Sequence, residues 1–553
     1  MRALVFLAGL AVCAAACTGD GGSPEPTPPP NTVSPPAALP DVAAFYVDRV
    51  AAPGGLRRGG RAVVAVPGEA GVLDPFAVGG DTPAARDLAP LWLPGLYRRA
   101  PDGRRSPWLA SGKPVVSRDG LRITIDLRAD ARWSDGTPIT SADVAATWRR
   151  ASSRPGPWRA AYDDLAGVET PTPARIVLVQ RQRGPAWSRL FVAPTGVLPA
   201  TQLARLGARA YDLAVTGGPY RLGSRTGGLG TTWRRTPHPW PGSDPLLDEV
   251  VVQVVPDFGT AAELLAAGRV DVVSPYDAVR AAERLRAAGA DDVQVATSAA
   301  SPLVLTFTTD RSLVRDVRVR QAIARALDRA AFDAALLRDG GDAVDDLVPP
   351  GVAGHRRPWA RWRRDLARSK ALLEAAGWRG AATGRPRTRK GVELTLVLAQ
   401  PAPSDLGDTL VRGLQFQLRD VGVQLDIAGA DADRAAELAR TGQADLALVR
   451  WDTDVVSDVS RLLASGARAP AGAGWSRWRD ATADQLLAAA DTAPDLRALD
   501  TRLASALARA ADQLPVLPLV AVHPVTAGRR VRVAAPVAGY GGPFVDVDRW
   551  ARA

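Results

Sequence analysis

The sequence predicts an α/β protein of two or three domains, and three observations carry that expectation. At 553 residues the chain is too long for one hydrophobic core, and 46% hydrophobic with 23% charged residues is ordinary globular composition rather than that of a disordered chain. Apolar and polar residues alternate through Leu121-Arg122-Ile123-Thr124-Ile125-Asp126-Leu127-Arg128, the period of a half-buried strand. Close behind it, Trp133-Ser134-Asp135-Gly136-Thr137-Pro138 supplies a turn, and Thr140-Ser141-Ala142-Asp143-Val144 opens a helix through a capping box, because a hydroxyl and a carboxylate can satisfy the free backbone donors at the positive helix end.

The first 17 residues read as an export signal. Arg2 gives a positive start, residues 3–16 form an apolar run shorter than the ~20 residues a membrane-spanning helix needs, and small residues follow. Ala14-Ala15-Ala16-Cys17 resembles the lipobox of bacterial lipoproteins. That resemblance implies that Cys17 is acylated and anchors the mature chain to the cell membrane on its extracytoplasmic face. With Cys13 removed and Cys17 blocked, no cysteine is left for a disulfide, a nucleophile or a metal site. Residues 18–60 read as a linker: eight prolines fall within residues 23–40, and in polyproline geometry those residues reach about 55 Å.

The formal net charge is +11, yet only Lys113, Lys370 and Lys390 are lysines, and the arginines read as scattered among Asp and Glu. A nucleic-acid surface needs basic residues gathered on one face, so no nucleic-acid partner is expected, and anionic lipid headgroups suit the excess charge better. Enzyme motifs are missing from the sequence. His238, His355 and His523 sit beside prolines or arginines, and no His-Glu-x-x-His, Gly-x-Ser-x-Gly or phosphate-cradling glycine loop occurs. The carboxylates are unpaired in sequence, as helix caps and solvated faces are. No enzyme activity, cofactor or metal is expected.

The folded part begins near Arg61. Ala62-Val63-Val64-Ala65-Val66 suits a buried strand, Leu73-Asp74-Pro75 a turn, and residues 84–97 a helix running into Gly95-Leu96-Tyr97. Beyond the run already described, residues 175–180 form a strand, and Thr216-Gly217-Gly218-Pro219-Tyr220-Arg221-Leu222 leads into another. Residues 247–255 and 262–271 read as a strand and then a helix, and residues 303–308 as a strand. Asp316 is placed to cap a helix that carries Val319, Ile323 and Leu327 on one face and continues to Arg329. Gly377 stops a helix over residues 367–378, and residues 380–390 read as a loop. Residues 392–399 and 445–451 are strands, 485–512 is helical, and Leu514-Pro515-Val516-Leu517-Pro518-Leu519 returns the chain toward its first half.

The order Leu-Arg, Trp-Ser-Asp-Gly-Thr-Pro, Ala-Asp-Val resembles the signature segment of the large extracytoplasmic solute-binding proteins of peptide-type ABC importers, the peptide/nickel family. Leu73-Asp74-Pro75, Gly218-Pro219-Tyr220, the Asp316 to Arg329 segment and Ala375-Ala376-Gly377 extend the resemblance over residues 61–535. It implies a two-lobed periplasmic-binding-protein fold with mixed sheets flanked by helices. Residues 61–98, 216–300 and 513–553 would form lobe I, residues 99–215 an extra domain inserted in it, and residues 301–512 lobe II.

The same resemblance supplies candidate site residues. In peptide binders of this family a Trp at the end of the 445–451 strand lines the interlobe cleft, and an Asp three residues on pairs with the ligand's α-ammonium. Trp451 and Asp454 have that spacing. Val455-Val456-Ser457-Asp458-Val459 departs from the aromatic and Asp/Glu-Pro that usually follow, which leaves the ligand class open. Asp454 also suits a helix cap or a solvated position, and Trp451 also suits the core. Glu69 occupies a position that lines the cleft in some members. The implied function is capture of a peptide or similar small solute by hinge closure, as a monomer, with delivery to ABC permease subunits. One alternative keeps the scaffold without transport, as a cell-envelope regulatory or glycolipid-associated lipoprotein. A hydrolase on the same scaffold is a third class.

Overall fold

The computed structural model describes residues 57–552 except 100–104, 154, 185, 228–229, 277–280, 291–292, 298–300, 337–343, 349–354, 381–384, 401–404, 429–433, 435–436, 439–440, 452–458, 460–461, 466–475, 494–495, 523–524, 530 and 533–543. The expected signal, Cys17 and nearly all of the linker therefore lie outside the described residues, as does Asp454.

The apolar run at the start of the folded part forms the strand Arg61–Val66, the middle of a seven-stranded sheet. It pairs in parallel with Glu249–Val254 on one side and Val272–Tyr276 on the other. A parallel strand is covered on both faces, which is why Ala62, Val64 and Ala65 are all fully buried and the sequence shows no alternation there. The other strands, Gln294–Thr297, Val525–Gly528, Gly230–Arg235 and Tyr220–Thr226, complete the sheet through antiparallel pairing. Phe258–Ala266 packs on one face, its first turn capped by Asp257, whose side chain accepts from Thr260 N at 2.8 Å.

A second, five-stranded sheet runs in the order Gln424–Ile427, Thr395–Ala399, Leu446–Arg450, Ser301–Phe307, Val516–Val522. Helices Val317–Ala326, Leu366–Ala375, Asp405–Arg419, Ala481–Asp491 and Leu496–Gln513 surround it and close a core of their own. Asp316 caps the first of these as expected, accepting from Arg318 N at 2.9 Å, and Val319, Ile323 and Leu327 are buried. The helix stops at Ala326 rather than continuing to Arg329: Leu327 is extended, and a new helix, Arg329–Leu336, begins behind it.

The chain passes between the two sheets twice, in adjacent strands. Gln294–Thr297 lies in the first sheet and Ser301–Phe307 in the second, while Val516–Val522 lies in the second and Val525–Gly528 in the first. The partners are antiparallel on both sides, Gln294 opposite Gly528 and Ser301 opposite Val522. This corrects the expected lobe boundary at residue 513, because Val516–Val522 belongs to the second sheet. It is the edge strand there, so Pro518 sits where a missing N–H breaks no ladder on the outer side.

Residues 99–215 carry a separate four-stranded sheet in the order Val115–Val116, Arg122–Asp126, Arg175–Gln180, Leu165–Thr172, with the helix Ser141–Ser153. They do not form a body with its own core. Trp133, Val144, Tyr162 and Leu178 join Val64, Trp92 and Tyr220 of the first sheet's surroundings in one continuous buried cluster, which also takes in Phe544 and Trp550. The expected loop at 380–390 is in part a ribbon, since Thr388–Arg389 pairs with Val392–Glu393 around Gly391.

The two halves also meet away from the crossovers. Gly184, just past the Arg175–Gln180 strand, lies so close to the backbone carbonyl of Asp491, the last residue of its helix, that a β-carbon at 184 would collide with it.

Candidate functional site

Strand directions locate the site. Arg61–Val66, Glu249–Val254, Val272–Tyr276 and Gln294–Thr297 all point the same way, and Gln294–Thr297 leads directly toward the second sheet. The carboxyl ends of these strands therefore lie on the side of the second sheet. In that sheet Ser301–Phe307 starts at the crossover, and Leu446–Arg450 runs antiparallel to it with Thr395–Ala399 parallel to Leu446–Arg450. Their carboxyl ends consequently turn back toward the first sheet. Ligands of open α/β sheets gather beyond the carboxyl ends of strands, and Glu69, Gln400 and Trp451 each follow such an end.

At the amino ends of the strands, away from those carboxyl ends, both sheets are tied by the same device. Asp271 precedes its strand and accepts from Val63 N at 2.9 Å, while its own N–H donates to Val63 O at 2.8 Å. Asp445, which is fully buried, does the same with Val397, accepting at 2.9 Å and donating at 2.9 Å. Arg311 Nε adds a contact of 2.5 Å to the second Asp445 oxygen. In the sequence Asp271 closed a helix expected over 262–271 and Asp445 opened a strand, so neither stood out; the helix in fact ends at Ala266, which frees Asp271 to tie two strands.

Trp451 follows Leu446–Arg450 directly. Its backbone N–H donates to Pro302 O at 2.9 Å, and its partly buried ring packs against the second core. Of the two sequence alternatives, the core one accounts for this packing. The indole Nε1 is enclosed and has no hydrogen-bond partner among the described residues, although a buried Trp N–H usually finds one. Glu69 is exposed, three residues beyond Val66. Gln400 was missed in the sequence. It is nearly buried at the end of an otherwise apolar strand, and its Nε2 donates to Asp408 Oδ1 at 3.1 Å.

The signature run is scaffold. Gly136, at φ +88°, closes a turn in which Trp133 N donates to Thr137 O at 2.8 Å. Asp143 Oδ2 accepts from Thr140 N at 2.8 Å, the return arm of the expected capping box, and Oδ1 accepts from Ala200 N at 2.8 Å. Burial nonetheless raises the Asp143 pKa, the donors only partly offsetting the loss of water. The Leu73-Asp74-Pro75 turn is pinned by a fully buried carboxylate: Asp74 pairs with Arg150 Nη2 of the signature helix and accepts from Tyr211 N at 2.8 Å and Phe76 N at 3.0 Å.

Among the described residues no group of three or more His, Cys, Asp or Glu is gathered as a metal ion would need, and no helix is long and apolar enough to cross a membrane.

Similarity to known proteins agrees with this geometry. The glutathione-binding protein GsiB of Salmonella typhimurium is 27% identical over 396 residues, covering 69% of this chain and 72% of its own. The GsiB of an Escherichia coli strain is 25% identical over the same length. In structure, the oligopeptide-binding protein AppA from Bacillus subtilis, in complex with a nonapeptide, superposes with a TM-score of 0.79 at 17% identity, over 90% of this chain and 100% of AppA. A dipeptide-binding protein from a Pseudoalteromonas species, in complex with Met-Leu, gives a TM-score of 0.78 at 18% identity, over 89% of this chain and 100% of that one. The model of the bacterial extracellular solute-binding proteins, family 5, middle region, matches residues 105–471. With more than half of its length matched, the chain belongs to the family 5 extracellular solute-binding proteins and has their two-lobed α/β fold.

Proposed function

We propose that this protein captures a peptide or a similar small solute between its lobes and delivers it to an ABC permease, moored to the extracytoplasmic face of the membrane by a lipid on Cys17. The observation that supports the reading is Trp451, whose enclosed indole N–H has no hydrogen-bond partner among the described residues, just past the carboxyl end of its strand. A donor left over at such a strand end suits a ligand carbonyl. Glutathione, a nonapeptide and Met-Leu, named for three similar proteins, are peptides, while others are named with EDTA, agropinic acid or Ni(L-His), so the reading is a peptide or a similar small solute. In this reading Asp454 takes the ligand's α-ammonium, Glu69 faces it from the first lobe, and the protein works as a monomer without chemistry on its cargo.

Native mass spectrometry of the purified chain tests it, the expected result being a co-purifying mass of peptide size. Truncating one side of a buried ion pair strands the other charge, so Asp454→Ala is expected to weaken peptide binding by about 2–5 kcal/mol in calorimetry. Affinity within twofold of wild type removes Asp454 from the site. The run after Asp454, which departs from the peptide binders, favours a second reading as an envelope regulatory lipoprotein. A preparation that holds no solute and binds no peptide would support that reading instead.

A further inference from the structure

The excess charge of this protein is local. Residues 355–390 hold twelve arginines and lysines against two carboxylates, Asp365 and Glu374, a balance of +10 out of +11 for the whole chain. The remainder of the sequence is almost neutral. The expectation that the arginines are scattered among Asp and Glu therefore fails in this segment, although the fold pairs part of it with acids from elsewhere.

Five of the twelve are neutralised. Arg356 pairs with Asp500, Arg357 with Asp345, Arg361 with Asp512, Arg364 with Asp420, and the buried Arg387 with Glu374. Six others, Arg363, Arg368, Lys370, Arg379, Arg385 and Lys390, are exposed and make no ion pair among the described residues. Arg368 and Lys370 are exposed on either side of the buried Ser369 in the helix Leu366–Ala375, and Lys390 sits at the turn of the Thr388–Glu393 ribbon. Arg389 lies over the Trp378 ring at 4.6 Å, which anchors that ribbon to the end of the helix.

Exposed apolar side chains occur in the ribbon and on a helix tied to the basic segment. Val392 is 55% exposed and stands opposite Arg389 in the ribbon. Phe416, 71% exposed, lies on the helix Asp405–Arg419 with Arg412 and Arg419 on its exposed side. The end of that helix is tied to the basic segment by Arg364 to Asp420 at 2.8 Å and by Arg387 N to Gly422 O at 2.8 Å. Unpaired like charges repel one another, and a plane of anions relieves that repulsion. Cations interleaved with a projecting Phe and Val match the two layers of a lipid surface, phosphates outside and acyl chains beneath.

We infer that this face of the second lobe docks on an anionic phospholipid surface. The inference does not depend on which solute is carried. The test uses the full chain carrying Cys17→Ser, so that no acyl chain contributes, and vesicles of phosphatidylcholine with or without phosphatidylglycerol in a flotation or surface-resonance assay. Binding is expected only with phosphatidylglycerol and is lost when salt is raised to about 1 M, where the screening length falls to about 3 Å. Each cation near such a surface contributes about fivefold in affinity. The combined variant Arg363→Gln, Arg368→Gln, Lys370→Gln and Lys390→Gln is therefore expected to bind several-hundred-fold more weakly. A matched variant elsewhere, Lys113→Gln, Arg118→Gln, Arg221→Gln and Arg269→Gln, is expected to bind within about threefold of wild type.

Phe416→Ser, which leaves the charge unchanged, is expected to weaken vesicle binding severalfold. Three results would overturn the inference: equal binding to both vesicle types, equal effects of the two charge variants, or binding to a DNA duplex tighter than to phosphatidylglycerol vesicles at about 0.15 M salt. All of these variants lie on the surface, and unchanged thermal unfolding confirms that they fold.

Discussion

Asp74 carries a charge in a place that water does not reach. Its two oxygens serve Arg150, Tyr211 N and Phe76 N, and neither member of the ion pair is exposed by more than a few per cent. Such a pair adds little net stability when intact, because desolvation offsets the attraction, but removing one partner leaves a bare charge inside. Asp74→Ala is therefore expected to lower the unfolding free energy by about 3–5 kcal/mol, read from urea midpoints. A loss under about 1 kcal/mol means that Arg150 finds another acceptor. The sequence shows Leu73-Asp74-Pro75 as a turn but hides this tie, since Arg150 is 76 residues away and looks like one more cation on a solvated helix face. Trp451 is the reverse case. Its position was legible from the strand before it, whereas its unsatisfied N–H could be seen only once the ring was packed.

The segment from Trp133 to Asp143 shows what an element adds to its residues. Strand, turn and helix start were all legible, because each is fixed by neighbours within a few positions. That Asp143 also receives Ala200 N, joining two helix starts, is a tertiary fact with no local trace. Its pKa is raised in the folded chain from an ordinary value of 3.8. Between those two values the native state binds more protons than the unfolded state, so this group adds stability as pH falls and withdraws it as pH rises. An amide does not titrate. The stability difference between wild type and Asp143→Asn should accordingly shift in favour of wild type as pH drops from neutrality through the raised pKa, measured by urea unfolding across a pH series. A difference that stays flat means the carboxylate is not desolvated. Val516–Val522 fails for the same reason that Ala200 was missed. An apolar run declares a buried strand, but not which sheet will accept it.

At the scale of the whole molecule, two lobes with separate sheets share one antiparallel ribbon, and that arrangement confines large relative motion to the two short crossings. The contact of Gly184 with the Asp491 carbonyl lies elsewhere, between the inserted sheet and the last turn of a second-lobe helix. Placing a methyl group in a tight contact costs about 1–3 kcal/mol, here charged only to the conformation in which the halves touch. Gly184→Ala is expected to weaken solute binding by at least that amount and to enlarge the radius of gyration in X-ray scattering, with the unfolding midpoint also lowered because φ +159° at residue 184 strains any side chain. Unaltered affinity would show that the two surfaces need not meet for capture.

A single missing side chain thus acts as the latch plate of a door. If the halves swing on the crossings, the bareness of residue 184 sets how far they can shut, and any larger residue there would serve as a doorstop that holds the protein ajar while leaving every ligand-facing group untouched.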